Sequence, residues 1–297
     1  MSVFVQQSGS VCDFPGSDAW VVLSPIEQSI KRKIEAVGTP LKDWDIQINY
    51  GIKTGYNEAF IIDKAKRDEI LANCQTEDER IRTAELIRPI LRGRDIKRYG
   101  YDWAGLYLIN THNGIKGKLE RIHIEDYPAV KAHLDQYWDK ISSRADKGDT
   151  PYNLRNCAYL EDFDKPKIMW KRIGSILRFS YDTSGKYGLD STCFATGQHM
   201  PYICCVLNSA MGNYLLKDSP KTGTGDLLVS VQAIEPIMIP TGNDVEFLFE
   251  NTLRDAIELN VIKAEDQINS LVFNLYNLST EEIDYIADYT IQFQKNR

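Results

Sequence analysis

The chain has 297 residues, 43% hydrophobic and 26% charged, so it can bury a sizeable core and is not a disordered chain. Its net charge of -7 is unfavourable for a nucleic-acid partner, yet residues 244–297 hold 11 acidic and 4 basic side chains and the remainder is neutral. The six cysteines show no C-x-x-C pair and no histidines at metal-ligand spacing, and no segment is typical of a signal peptide or membrane span, which predicts a cytoplasmic protein with neither a zinc site nor a membrane partner.

Predicted helices and short strands follow one another irregularly. Ser24 as N-cap and Pro25 at the first helical position predict a helix that ends before Gly38. Further helices are predicted over residues 64–72, 76–87, 127–145 and 201–216, and strands over 46–50, 60–62, 99–110, 167–173, 177–181, 191–196 and 227–239. Because no strict βαβ alternation occurs, we expect an α/β protein of irregular α+β type, with a mixed twisted sheet and flanking helices over residues 1–241.

The pattern changes beyond residue 241. Apolar residues from Val245 to Leu275 recur at three- and four-residue steps, which predicts one long helix or a helical pair. Ser279 and Glu282 form a capping box for a last helix. We therefore predict that residues 242–297 form a helical tail, or spacer, after the main domain.

The stretch QINYGIKTGYNEAFII places polar residues on a hairpin-like loop between two predicted strands. Gly51 and Gly55 would let the backbone turn tightly, which leaves Lys53, Thr54 and Asn57 available to phosphates or base edges. The alternative is that these residues only build a tight turn. The sequence does not decide between the two interpretations.

Two basic stretches, residues 86–98 and 165–186, stand out from the balanced body. Together with the loop KTGTGD they supply the remaining candidate DNA-binding residues, which are Arg92, Arg94, Lys97, Arg98, Lys171, Arg172 and Lys221. Such clusters can also be solvated faces, and we expect at least one of these arginines to pair with Asp95. Lys221 could equally belong to a plain connecting loop.

The patterns that catalysis would need are missing. No two prolines are adjacent and no G-x-G-x-x-G occurs, so the cofactor loop and base-binding motif of an adenine methyltransferase are absent. The only acid-x-lysine of nuclease type is Asp95-Ile96-Lys97, without a partner acid at a sensible distance. We expect a non-catalytic chain with no cofactor and no metal.

GIKTGYNEAFIID, followed further on by IRPILRGRDIKRY, resembles the TaqI-like C-terminal specificity domain. Further similarity runs from Ser24 to Tyr285, through PLKDWDIQINYGI, YPAVKAHLDQY, FDKPKIMWKRI, YICCVLNSAMGNYLL, VQAIEPIMIP and INSLVFNLYNLSTEEID. The resemblance implies a target-recognition domain of N6-adenine DNA methyltransferases and type IIG restriction-modification enzymes. It also implies double-stranded DNA as partner, with a methyltransferase or nuclease module in the same parent chain or in a partner subunit. The resemblance extends to the scaffold and does not identify any base-contacting residue.

Two function classes stay open from the sequence. The favoured one is a DNA-recognition module in which Lys53, Arg94, Lys97 and Lys171 face one concave surface. The other is a protein-interaction or scaffold module that docks a partner subunit through its acidic helical tail. An enzyme ranks third.

Overall fold

The computed structural model describes residues 23–241, 246–258 and 261–295. Residues 1–22, the start of the predicted main domain, and Val245 of the predicted apolar stripe lie outside the described residues. The helices are α1 (Pro25–Val37), α2 (Asn57–Phe60), α3 (Lys64–Ala72), α4 (Glu77–Leu86), α5 (Pro128–Asp135), α6 (Trp138–Ser143), α7 (Met200–Asn208), α8 (Ala210–Leu215), α9 (Val231–Ile234), α10 (Glu246–Glu258), α11 (Val261–Leu275) and α12 (Thr280–Lys295). Within these ranges no helix combines the length and apolar character needed to cross a membrane.

The strands are short and spread over the whole body. They are β1 (Gly38–Pro40), β2 (Ile46–Tyr50), β3 (Ile61–Ile62), β4 (Ile87–Leu91), β5 (Tyr107–Ile109), β6 (Lys167–Lys171), β7 (Ile173–Gly174), β8 (Phe179–Asp182), β9 (Tyr187–Gly188), β10 (Thr192–Gly197), β11 (Leu227–Leu228) and β12 (Met238–Pro240). Among the described residues they form an antiparallel sheet β2-β10-β6-β8, a mixed sheet β3-β5-β4-β9 and the ribbons β1-β12 and β7-β11. The irregular α+β class is therefore confirmed.

The antiparallel sheet is covered on both faces. Successive residues of a strand point to opposite faces, and along β6 Ile168 and Trp170 join one hydrophobic core while Met169 joins the other. Cys193 and Phe194 of β10 divide in the same way. The first core continues into α7 and the tail helices, and the second lies between this sheet and the mixed sheet. Two cores thus fix the central sheet, and functional groups can be presented only where its strands end.

The predicted hairpin after β2 is wrong. Tyr50 pairs with Cys193 in the antiparallel sheet, whereas Ile61 pairs with Leu108 in the mixed sheet. Since β2 and β3 belong to different sheets, the residues between them cross from one sheet to the other and include α2. The polar loop therefore joins two layers of the body.

Several predicted elements are shorter than expected, for local reasons. The predicted helix over residues 201–216 breaks at Ser209, whose hydroxyl caps α8 by accepting from the Gly212 amide at 3.1 Å. The predicted strand over residues 99–110 shrinks to β5, since Tyr99 and Gly105 adopt positive φ angles of 68° and 71°. The helical pair and the capping box of the tail are confirmed, with the Ser279 amide donating to Glu282 at 2.7 Å.

The tail helices pack against the rest of the protein through a shared hydrophobic core. Phe249, Ile268 and Ile286, one from each of α10, α11 and α12, are buried in the same core as Val206 of α7. Burial of this kind stabilises a helix that would be marginal alone. The division at residue 241 stays a prediction.

Candidate nucleic-acid interface

The carboxyl end of β6 gathers cationic side chains from three separate segments. Lys171 and Arg172 follow from the strand itself, and both are exposed. Gly93 packs against the aliphatic part of the Lys171 side chain, because a Cβ on Gly93 would lie 2.8 Å from Lys171 Cγ. The next residue, the exposed Arg94, therefore lies beside Lys171. In the described part of the chain, none of these three cations forms an ion pair.

Lys221 reaches the same end of the sheet through the ribbon β7-β11. It bridges to Leu227, which pairs in turn with Gly174, two residues after Arg172. The Val229 amide also donates to the Arg172 carbonyl at 2.9 Å. Lys221 is exposed and, as far as the described residues go, likewise meets no carboxylate.

A depression lies between the ends of β2 and β6. Its cationic lining comes from Lys53, Arg155 and Arg172, against the single carboxylate of Asp190. The Arg172 guanidinium lies 5.4 Å from the centre of the Tyr50 ring, an arrangement in which the ring supports the cation. The lining is therefore positive on balance, which suits an anionic ligand.

Asp146 forms ion pairs with two cations of the depression, Lys53 and Arg155. Its carboxylate accepts from Lys53 Nζ at 2.7 Å and from Arg155 Nη1 at 3.4 Å. The hydrogen bond from Lys53, supported by the charges of both cations, lowers the pKa of Asp146 below its ordinary value against the opposing effect of burial. Lys53 and Arg155 are thus placed side by side, with their side chains still half or more exposed.

Arg144 ties together the loops that carry this depression. It is 7% exposed, and its guanidinium donates to the carbonyls of Asp146 at 2.9 Å, Pro151 at 3.1 Å and Asn153 at 2.6 Å, and also to that of Thr54. Its Cζ lies 4.4 Å from the centre of the Phe60 ring. Burial lowers the pKa of Arg144 to about 10, which still leaves it charged at neutral pH. One buried cation therefore fixes the loop at Thr54 to the segment 144–156.

The residues of the polar loop divide between structure and surface. Thr54 is 2% exposed, and its hydroxyl donates to Asn57 Oδ1 at 2.6 Å and accepts from the Tyr56 amide at 3.2 Å, so it shapes the loop instead of facing solvent. Asn57 is exposed but bound to Thr54. Gly55 turns the chain with a φ of +72°, as expected, whereas Gly51 is buried against the Leu189 carbonyl, 2.0 Å from where its Cβ would be. Gly51 therefore allows two backbone segments to approach closely inside the body.

Arg92 is occupied by an internal carboxylate. Its Nε and Nη2 donate to Asp95 at 3.1 and 2.7 Å, and its amide donates to the same side chain at 2.8 Å. The hydrogen bonds that Arg92 donates to the Asp95 side chain raise the pKa of Arg92. The predicted pairing of an arginine with Asp95 is confirmed, and Asp95 itself is buried.

Lys97 and Arg98 line a different groove, between the body and α10. Arg98 Nη1 lies 2.8 Å from Glu265 of α11, and its Nη2 donates to the Asn208 carbonyl. Lys97 lies 3.2 Å from Asp102. The single surface expected to hold Lys53, Arg94, Lys97 and Lys171 therefore splits, because Arg98 and the neighbouring backbone turn toward the tail.

The segment from residue 144 to 156 carries functional groups that no sequence motif predicts. Arg144, Asp146 and Arg155 carry the frame and the charge of the depression, yet they lie outside both basic stretches. The only signal was the density of turn-forming residues in ADKGDTPYNLRN, which predicts an ordered loop but not its position.

The sequence is similar to two curated proteins. The chain is 22% identical over 284 residues to the type II methyltransferase M.BstVI of Geobacillus stearothermophilus, covering 93% of this chain and 47% of that protein. It is 23% identical over 278 residues to the type II methyltransferase M.PaeR7I of Pseudomonas aeruginosa, covering 90% of this chain and 44% of that protein. The chain thus spans about half the length of these curated relatives.

A similar fold occurs in a solved structure. The type IIL restriction-modification enzyme MmeI, described in complex with DNA, superposes with a TM-score of 0.61 at 12% identity, covering 87% of this chain and 36% of that one. The family model of the TaqI-like C-terminal specificity domain matches residues 88–230, which include Arg92, Lys171 and Lys221. Residues 88–230 therefore match the specificity-domain family that the motifs of the sequence predict, and the chain as a whole is similar to type II methyltransferases.

Proposed function

We propose that this chain is a sequence-specific recognition module for double-stranded DNA in a restriction-modification enzyme. It would position a separate adenine-N6 methyltransferase or endonuclease module, in the same parent chain or in a partner subunit, over the target. The relatives are named type II methyltransferases and are about twice as long as this chain's match, which leaves room for such a module in proteins of this kind.

The observation that carries the proposal is the group of unpaired cations at the end of β6. Arg94, Lys171, Arg172 and Lys221 come from three segments that meet where β6 ends, and Arg172 also lines the positive depression. Phosphate contacts by such side chains supply most of the non-specific affinity of proteins for DNA and set their orientation on the duplex. A cation without a carboxylate partner can transfer to a phosphate without breaking an existing ion pair.

The predicted contact residues take different roles in this proposal. Lys53, Arg94, Lys171, Arg172 and Lys221 would face DNA. Thr54, Asn57 and Arg92 would hold the frame, and Lys97 and Arg98 would belong to the junction with the tail.

We propose that residues 242–297 serve as a helical spacer fixed to the recognition body. Two acidic side chains of the described tail are already engaged within the chain, Glu265 with Arg98 at 2.8 Å and Glu282 with Lys33 at 2.6 Å. This occupancy favours DNA recognition over the alternative in which the acidic tail docks a partner.

The proposal is tested by titrating the full chain with fluorescent duplex DNA at about 50 mM and about 200 mM salt, where log affinity should fall by about 0.9 per neutralised phosphate for each unit of log salt. Binding that is absent at the lower salt, or insensitive to salt, contradicts it. In parallel, the chain incubated with S-adenosylmethionine, Mg²⁺ and DNA should neither methylate nor cut, since the module that we propose for catalysis is separate.

A further inference from the structure

Arg155 stands out among the cations of the depression because the backbone that carries it is anchored. Its side chain is 63% exposed and lines the depression with Lys53 and Arg172. The backbone before it is anchored, since the Leu154 amide donates to the Thr111 carbonyl at 2.8 Å and Asn153 Nδ2 donates to the Ile122 carbonyl at 2.9 Å. An exposed side chain on a fixed loop is the arrangement that recognition of one chemical group requires.

Asp146 holds only one edge of the Arg155 guanidinium. The contact uses Nη1 at a long 3.4 Å, while Lys53 occupies the other carboxylate oxygen at 2.7 Å. Within the described residues, the Nε and Nη2 donors of Arg155 have no acceptor. The guanidinium is therefore oriented by a carboxylate and keeps a donor pair available, in contrast to Arg92, whose fork is filled by Asp95.

The neighbour of Arg155 is held on the opposite side. Asn156 Oδ1 accepts from Asn113 Nδ2, which also donates to Asp149 at 3.0 Å. Asn156 lines both the depression and an adjoining one that contains Asn113 and Arg121. Residues 155–156 thus lie on an anchored segment between two surface depressions.

On the basis of the proposed function, we infer that Arg155 reads a guanine of the target duplex, while Lys53 beside it contacts the backbone. The planar fork of arginine matches the O6 and N7 acceptors of guanine in the major groove, whereas the ammonium of lysine acts as a point charge. Asp146 engages only Nη1 of Arg155, so the remaining donors can pair with a base edge while this contact is kept. The same carboxylate orients the guanidinium through Nη1.

The experiment is a selection from randomised duplexes with the full-length wild-type chain, Arg155→Ala, Arg155→Lys and the control Lys53→Ala. Arg155→Ala should lose the preference for guanine at one position and keep the others, with affinity for the preferred duplex about tenfold to hundredfold lower. Arg155→Lys should lose the same preference although it keeps the charge. Lys53→Ala should weaken all duplexes alike and lower the salt slope by about one unit.

A chemical probe then checks the contact. Replacing the selected guanine by 7-deazaguanine, which lacks the N7 acceptor, should weaken the wild-type chain and leave Arg155→Ala unaffected. Equal weakening of all duplexes by Arg155→Ala, or a wild-type chain that binds duplexes without base preference, overturns the inference. A wild-type chain that binds no duplex refutes the proposed function and, with it, the inference.

Discussion

The end of β6 and the groove beside α10 both contain cations from the basic stretches of the sequence, but the two regions use them differently. At the end of β6, Lys171 and Arg172 are exposed, and no described carboxylate pairs with them. In the groove, Arg98 is bound to Glu265 and to the Asn208 carbonyl. Carboxylates and carbonyls from distant parts of the chain therefore decide which positive charges remain available to a ligand.

The frames of the two regions differ as well. The depression near β6 is organised by one buried arginine bonded to backbone carbonyls, whereas the tail is fixed by ion pairs and a shared apolar core. The hydrogen bonds between Arg144 and the carbonyls should not change when carboxylates are protonated in acid. The ion pairs that fix the tail should weaken under the same conditions. The two regions can therefore be separated by mutation and by pH.

The largest effect is expected from Arg144→Met, which tests the frame of the depression. The substitution leaves four carbonyls without their donor, and each carbonyl that stays buried costs about 1–3 kcal/mol. We therefore expect the free energy of unfolding, measured with urea, to fall by about 3–5 kcal/mol. The control Arg155→Ala, at an exposed site in the same region, should change stability by no more than about 0.5 kcal/mol. A loss below about 1 kcal/mol for Arg144→Met would mean that the loops hold without it.

The next effect concerns the pH dependence of tail docking. Glu282 is buried, and although burial raises its pKa, hydrogen bonds from Lys33, the Ser279 amide and Ser29 outweigh this and bring the pKa to about 2. Its folded pKa lies below the unfolded value of 4.5, so its stabilisation is present above that value and is lost as pH falls toward 2. We expect up to about 3 kcal/mol from this group at pH 6.

Glu282→Gln tests this directly in unfolding experiments between neutral and acidic pH. The gap in stability between wild type and variant should be largest near neutrality and shrink as the pH drops below the unfolded pKa. A gap that is constant with pH would show that the carboxylate charge is not involved. Duplex affinity at neutral pH should stay unchanged, because Glu282 lies with the tail.

A pair of alanine variants compares the two regions most directly. Arg98→Ala removes the contacts with Glu265 and Asn208 and should cost about 1–2 kcal/mol of stability, with the salt dependence of DNA binding unchanged. Arg172→Ala should leave stability within about 0.5 kcal/mol and lower the salt slope by about one unit. If the slope responds to Arg98 and not to Arg172, the roles of the two regions are reversed.

Local sequence signals predicted much of the fold but little of its assembly. Ser24 and Pro25 fixed the start of α1, and the apolar spacing of the tail gave a helical pair, because caps and periodicity act within a few residues. The hairpin prediction failed because strand partners are chosen across the whole chain, and Tyr50 found Cys193. Arg172 could be proposed from its neighbours in sequence, whereas Arg144 and Arg155 gain their roles only from contacts that folding creates.

Thr54→Val has a small predicted effect on stability and separates a structural from a ligand-binding role for the polar loop. The isosteric change removes the hydroxyl that links the Tyr56 amide and Asn57, so we expect a loss of about 1 kcal/mol, well below that of Arg144→Met. Asn57→Ala breaks only one of these two bonds and should cost less. Because Thr54 is buried, both the affinity for duplex DNA and its salt slope should remain at wild-type values in calorimetric and anisotropy measurements. If Thr54→Val instead weakens DNA binding while stability is retained, the hydroxyl must turn outward in the complex, and the loop would be a contact element.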